Sequence, residues 1–340
     1  TSVCCADILR MMRTPDNIFT GAYYYLLVTF IGVPCTFFYN LLSSIIRALG
    51  DSKTPFWFLL FSTVLNILLD LFCILVLDWG VAGAAIATVF SQGVLAVLCY
   101  IYMMKRFEIL RTTPAERKFD SALARTLMYI GVPMGLQFSI TAIGSTILQA
   151  AVNTLGSTYV AAMTAGSKMF NFTCCPFDAL GSTMATYAGQ NVGAAKIKRL
   201  GQGVRSAMII GSVYSVLSLI ALYFTTDYIA LLFVNESETN IIALTRQFIL
   251  ASACFYIPLT GVNVVRFCIQ GMGFSVFAIS AGILEMIGRA FAAIILIPSI
   301  GFMGACLASP IAWIAADAFL FPAFIHCAKK LNARHNIKSN

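Results

Sequence analysis

Apolar residues run along this 340-residue chain in long blocks separated by short polar breaks. The blocks predict nine membrane-spanning helices, at roughly 20–48, 56–77, 80–104, 124–152, 157–190, 203–225, 241–270, 275–297 and 301–327. Each reaches the length of about 20 residues that a helix needs to cross a bilayer core. The strands of a membrane barrel would instead alternate over about ten residues. Several blocks exceed the crossing length, which implies tilt or protrusion. Pro34, Pro133, Pro176, Pro258 and Pro310 fall inside blocks and are expected to mark bends.

Composition agrees with the pattern. Hydrophobic residues make up 59% of the chain and charged residues 11%, less than half the charged share of a soluble domain. The expected fold class is therefore an all-α membrane protein, a multi-pass helical bundle in the cell (plasma or inner) membrane. A net charge of +8 could suggest nucleic acid, but the cations sit in loops beside the spans. Lys105, Arg106, Arg111, Arg117, Lys118 and Arg125 cluster in one loop, and Lys196, Lys198, Arg199 and Arg205 in another. With alternating spans these loops share one face, which the positive-inside rule makes cytoplasmic. No nucleic-acid partner is expected. Eleven cysteines show no metal-ligand spacing and read as small buried hydrophobes.

Against this apolar background, polar residues inside spans stand out. Asn66 and Asp70 lie one helical turn apart, and Thr88 follows in the next span. An intramembrane carboxylate is costly and points to function. With an amide at i−4 and a neighbouring hydroxyl, it offers oxygen ligands for a proton or a small hard cation such as sodium. No other metal and no cofactor is indicated. In the second half, Glu285 and Arg289 stand at i, i+4, either as a self-neutralising pair or as a wall of a substrate cavity. Asp178 and Lys168 share a helix ten residues apart, too far for a direct bond, and are further candidates for that cavity. Asp317 in the last span is a weaker one.

The chain also repeats itself. RALGDS (47–52) matches QGMGFS (270–275), and GVAGAAIAT (80–88) matches GFMGACLAS (301–309). The first match places Asn66 opposite Arg289, and the second places it opposite Ile287. Residues 20–104 thus recur near 243–327, and residues 122–242 have no counterpart before them. A twelve-helix parent of two six-helix lobes is implied, of which this chain would hold helices four to twelve. On that reading residues 1–104 end the amino-terminal lobe, 105–123 form a cytoplasmic linker, 124–327 the carboxy-terminal lobe and 328–340 a cytoplasmic tail.

Four stretches carry a resemblance to a known family. They are Gly32-x-Pro34 running into Arg47-Ala48-Leu49-Gly50-Asp51 and Pro55; Asn66-x-x-x-Asp70 followed by Gly80 to Thr88; Gly131-Val132-Pro133; and Ala188-Gly189-Gln190-Asn191-Val192-Gly193-Ala194. In order and spacing the chain resembles the multidrug and toxic compound extrusion (MATE) family, bacterial type, lacking its first three helices. The resemblance implies a two-lobed secondary antiporter exporting organic, often cationic, compounds in exchange for protons or sodium. It also implies a cation site in the amino-terminal lobe at Asn66, Asp70 and Thr88. The expected partners are a small organic substrate and membrane lipid, with the protein a monomer. The alternative is a flippase for a lipid-linked sugar or other lipid, for which Lys168, Arg266 and Arg289 would face a phosphate. No Gly-x-Ser-x-Gly, Walker loop or His-Glu-x-x-His is present, and the chain is not read as an enzyme.

Overall fold

A computed structural model describes residues 5–11, 16–110 and 119–339. The linker cations Arg111, Arg117 and Lys118 lie outside them. The regular structure among the described residues is helical: α1 (Cys5–Met11), α2 (Asp16–Ala48), α3 (Lys53–Leu71), α4 (Gly80–Arg106), α5 (Ser121–Asn153), α6 (Ser157–Gly193), α7 (Lys198–Ala230), α8 (Thr239–Ala253), α9 (Tyr256–Gly271), α10 (Ser275–Phe291), α11 (Ile297–Ile300) and α12 (Phe302–Ser339). The chain forms two compact units, residues 1–119 and 120–340.

In the first unit α4 packs along α2 and α3 around Leu42, Ile46, Leu95, Cys99 and Met103. A polar knot closes the α2–α3 turn. Asp51 Oδ1 accepts the backbone N–H groups of Lys53 and Thr54, each at 3.1 Å, which satisfies donors at the start of α3. Its Oδ2 accepts the hydroxyls of Thr54 and Tyr102, each at 2.7 Å, tying the turn to the end of α4. Deeper in, Ser62 donates to the Ser91 carbonyl at 2.9 Å. Many helical Ser and Thr hydroxyls bond back to the carbonyl four residues earlier, as at Thr63 and Thr164. That removes an unpaired donor from an apolar setting.

The second unit is built round α9, which packs on α6, α7 and α12 and buries Tyr256, Val262, Val264, Val265 and Ile269. Gly288 lets α10 approach α12 so closely that an added Cβ would sit 2.9 Å from Ala312 Cα.

By length and composition, seven of the described helices can cross a membrane, or eight counting the bent pair α8–α9. This corrects the nine predicted spans in two places. The span at 241–270 is broken, with α8 and α9 meeting at 52°. Pro258 has no N–H to offer the Cys254 carbonyl, which weakens the helix at that turn. The span at 157–190 is one 37-residue helix, α6, long enough to cross. Lys168, Asp178 and its many Gly, Ser and Thr residues leave it less apolar than the others. The other prolines named in the sequence lie within continuous helices. α12 runs on to Ser339, through the residues of the expected tail.

The internal repeat is visible in the backbone. Gly50 and Gly273 both have positive φ, +96° and +86°, at the turn before α3 and before α10. Gly80 and Gly301, at φ +53° and +62°, open the helix that follows. Between them each unit has a π-helical segment, Phe72–Val76 after α3 and Ala292–Leu296 after α10. Gly83 packs on Cys73 in the first of these, and Gly304 on Leu296 in the second.

Candidate functional site

In the first unit Asn66 and Asp70 project from one face of α3, just before its π-helical segment. Such segments are frequent at functional sites. Asn66 Nδ2 donates to Thr88 Oγ1 across to α4 at a long 3.4 Å. The Thr88 hydroxyl donates in turn to the Ala84 carbonyl at 2.9 Å. Asp70 Oδ1 is buried with no hydrogen-bond partner. Two of the three predicted residues are thus bonded to each other. The third lies a turn away on the Asn66 face with an oxygen that nothing satisfies. A buried acceptor in that state needs a donor, a proton or a cation. Gln92, one turn beyond Thr88 on α4, also buries an unpartnered oxygen, Oε1. The sequence reading passed over it because an amide in a span reads as helix–helix packing.

The second unit encloses a cavity of about 430 Å³. Asp178 from α6, Arg266 from α9, and Glu285 and Arg289 from α10 all line it. Phe138, Phe170, Phe267 and Trp313 supply aromatic walls, and the Phe170 and Trp313 rings stack with centroids 5.8 Å apart. Glu285 is 2% exposed, Arg266 8% and Arg289 7%. Arg266 Nη1 stands 2.9 Å from Glu285 Oε1, and Arg289 Nη2 stands 3.4 Å from Glu285 Oε2. Arg289 Nη1 also donates to the Thr141 carbonyl of α5 at 3.2 Å.

The self-neutralising pair expected from the sequence is therefore a triad, with Glu285 between two guanidiniums. Arg266 was not legible as the shorter partner, because it comes from another helix. Asp178 is exposed to the cavity, in electrostatic reach of Arg266. Asp317 of α12 also interacts with Arg266 and Glu285. Its carboxylate lies where a Cβ on Gly261 would be, so α9 must carry glycine there. Lys168 does not join these residues. It is not among those lining the cavity, and its ammonium stands 5.5 Å from the Phe233 ring. Ser309, the repeat partner of Thr88, does line it. The alignment of GVAGAAIAT with GFMGACLAS carried that signal.

Among the described residues no group of three or more His, Cys, Asp or Glu side chains is placed to hold a metal ion.

Comparison with known proteins agrees with this architecture. The MatE family matches residues 1–72 and 133–295. A Bacillus subtilis (strain 168) protein named "Probable multidrug resistance protein YpnP" is 34% identical over 258 residues, covering 76% of this chain and 57% of that protein. A Shewanella oneidensis protein named "FAD transporter" is 24% identical over 241 residues, covering 69% of this chain and 52% of that one. The chain thus spans a little over half the length of these curated relatives. Among solved structures, an outward-facing multidrug resistance MATE family transporter superposes with a TM-score of 0.90 at 19% identity. The match covers 97% of this chain and 75% of that one, and it shows the shared fold.

Proposed function

The chain belongs to the MatE family of membrane transporters, and from that premise we propose that it serves secondary antiport, exporting organic cations in exchange for protons or sodium. It is a multi-span helical membrane protein and not an enzyme. The observation that carries the coupling reading is the buried, donorless Asp70 Oδ1 one turn from Asn66, which itself holds Thr88. A proton or sodium ion at Asp70 would satisfy that oxygen and neutralise a charge that is otherwise expensive in a bilayer. Its occupancy then biases one conformation of the lobe over another, and the ion gradient drives transport.

For the substrate, the reading rests on the second-unit cavity. Glu285 is committed to two guanidiniums, which leaves Asp178 as the carboxylate open to a ligand cation. The surrounding aromatic rings suit an organic cation. The flippase alternative is not favoured. It needs a cavity dominated by cations, whereas Arg266 and Arg289 here are both paired with Glu285, Asp178 adds a second carboxylate, and Lys168 lies elsewhere.

The test is transport by the protein reconstituted in vesicles. A fluorescent organic cation is followed under an imposed proton gradient, then a sodium gradient, with Asp70→Asn alongside. Flux should follow one gradient and fall at least tenfold in the variant, with folded protein retained. Unchanged gradient-driven flux in Asp70→Asn would remove Asp70 from the coupling role.

A further inference from the structure

The two repeats share a turn glycine, a π-helical segment and a second glycine after it, so their polar groups can be compared position by position. Counting from the turn glycines, Arg266 stands where the first unit has Ser43, and Arg289 where it has Asn66. Counting from the π-helical segments, Arg289 falls one residue from the place of Asp70. Thr88 corresponds to Ser309, which faces the same cavity as Glu285 and Arg289. Asp70 of the first unit has an oxygen with neither a hydrogen bond nor a counter-charge, whereas Glu285 of the second has a guanidinium within ion-pair distance of each oxygen, although Asp317 Oδ1 in the second unit is also buried without a hydrogen-bond partner.

We propose that Glu285 is the cation seat of the second lobe and that Arg266 and Arg289 are its tethered, permanently bound cations. At Glu285 the lobe is self-liganded and needs no ion from solution. This rests on the coupling role read for Asp70 above. Three features on the second unit support it independently. The triad is nine-tenths or more buried, so an unpaired Glu285 charge would be strongly unfavourable. Arg289 stands 3.4 Å from Glu285, against 2.9 Å for Arg266, so it is the more distant ligand. Both residues line a cavity large enough to admit a small planar cation. The chemical class that would refill an emptied seat is a guanidinium or amidinium, which can pair with a carboxylate through two parallel N–H bonds.

The experiment measures thermal stability of the purified full chain in detergent, titrated with methylguanidinium chloride at millimolar concentration against equal potassium chloride. The wild type should not respond. Arg289→Ala should melt lower and recover at least half of the lost Tm with methylguanidinium but not with potassium. The double variant Glu285→Gln/Arg289→Ala, in which Arg266 also loses its carboxylate, should show no response to methylguanidinium. A folded Arg289→Ala that methylguanidinium does not restore would overturn the proposal. If Arg289→Ala yields no folded protein, Arg289→Leu decides, since it keeps the packing of the stem and leaves the carboxylate open at Oε2. Restoration of its Tm by methylguanidinium supports the proposal, and no restoration overturns it. The readout is independent of transport. Rescue in Arg289→Ala together with unimpaired coupling in Asp70→Asn would sink the first-lobe reading and leave the tethered cation standing. The reverse pair of results would do the opposite.

Discussion

The segment α2–α4 and the segment α8–α12 are two renderings of one backbone plan, and they part company in their polar chemistry. Both turn at a positive-φ glycine, both interrupt a helix with a π-helical segment, and both restart at a second positive-φ glycine. In the first, the groups at the helix contacts are neutral (Ser43, Asn66 and Thr88) with one unmatched carboxylate, Asp70. In the second they are Arg266, Arg289 and Ser309 around Glu285, with Asp317 Oδ1 also buried without a hydrogen-bond partner. The difference shows that a repeat can keep its geometry while one copy carries its counter-charge on the chain and the other leaves the place to be filled. It also shows where stability and responsiveness should lie. A pre-paired buried triad is costly to break, whereas an unmatched carboxylate changes state when its surroundings supply a proton or cation.

The matched positions 43 and 266 give the hardest test of that contrast. Arg266→Ala removes the 2.9 Å partner of a carboxylate that is 2% exposed. It should cost about 3 kcal/mol, the low end of the penalty for breaking a buried ion pair, because Arg289 still faces Glu285. Ser43 is equally buried, but its Oγ has no hydrogen-bond partner, so Ser43→Ala should lie within about 1 kcal/mol of the wild type or above it. Thermal melts of both variants in the same detergent check this. Comparable losses would mean that the two copies are equally dependent on polar pairing, and the comparison would fail.

A smaller effect is expected at the glycines that pack on the π-helical segments. A Cβ at Gly304 would fall 2.6–2.7 Å from the backbone of Leu296 and Ile297, which cannot move aside without shifting the helix. At Gly83 the nearest atoms are at 3.0 Å, and two of the three are side-chain Cβ atoms. Gly304→Ala should therefore cost about 2–3 kcal/mol and Gly83→Ala about 1 kcal/mol or less. The order of the two melting temperatures is the quantity to read. A larger loss at Gly83 would show that the first copy is the more tightly packed at its π-helical segment.

Much of this plan was readable from sequence because it depends on local composition. Apolar blocks give spans, and turn glycines give themselves away by recurring in RALGDS and QGMGFS. Asn66 and Asp70 were readable because a carboxylate in an apolar run has few structural excuses. What sequence hid was anything set by helix–helix geometry. Glu285 and Arg289 looked like a closed pair because i, i+4 spacing is the only pairing that one helix reveals. Arg266 enters from α9 and changes the count of charges. Lys168 and Asp178 looked alike as charges on one helix, yet only Asp178 reaches the cavity. Pro258 was expected to mark a bend, and the chain bends 52° at Cys254–Phe255, but a proline inside an apolar run does not tell from sequence whether the helix only bends or breaks.

The smallest effect is expected at the turn that opens each copy, where position 51 corresponds to 274. Asp51 is partly buried, which alone would raise its pKa, but the hydroxyls of Tyr102 and Thr54 and two backbone N–H groups outweigh this and hold it at about 2, against an ordinary 3.8. A lowered folded pKa means that the ionised carboxylate favours the folded turn above about pH 4. That contribution is lost as pH falls from there toward 2. Allowing for solvent screening at this partly exposed site, it amounts to about 1 kcal/mol. Phe274 at the matched turn has nothing to titrate. Acid should therefore loosen the α2–α3 turn before the α9–α10 turn, and amide exchange at Lys53 and Thr54 should accelerate first between pH 4 and 2. Tyr102→Phe removes one of the donors that lower the pKa, so it should move that onset upward. If Tyr102→Phe leaves the onset where it was, the tie between the turn and the end of α4 is not what holds the carboxylate ionised, and the first copy's opening turn is no more pH-sensitive through Tyr102 than the second's.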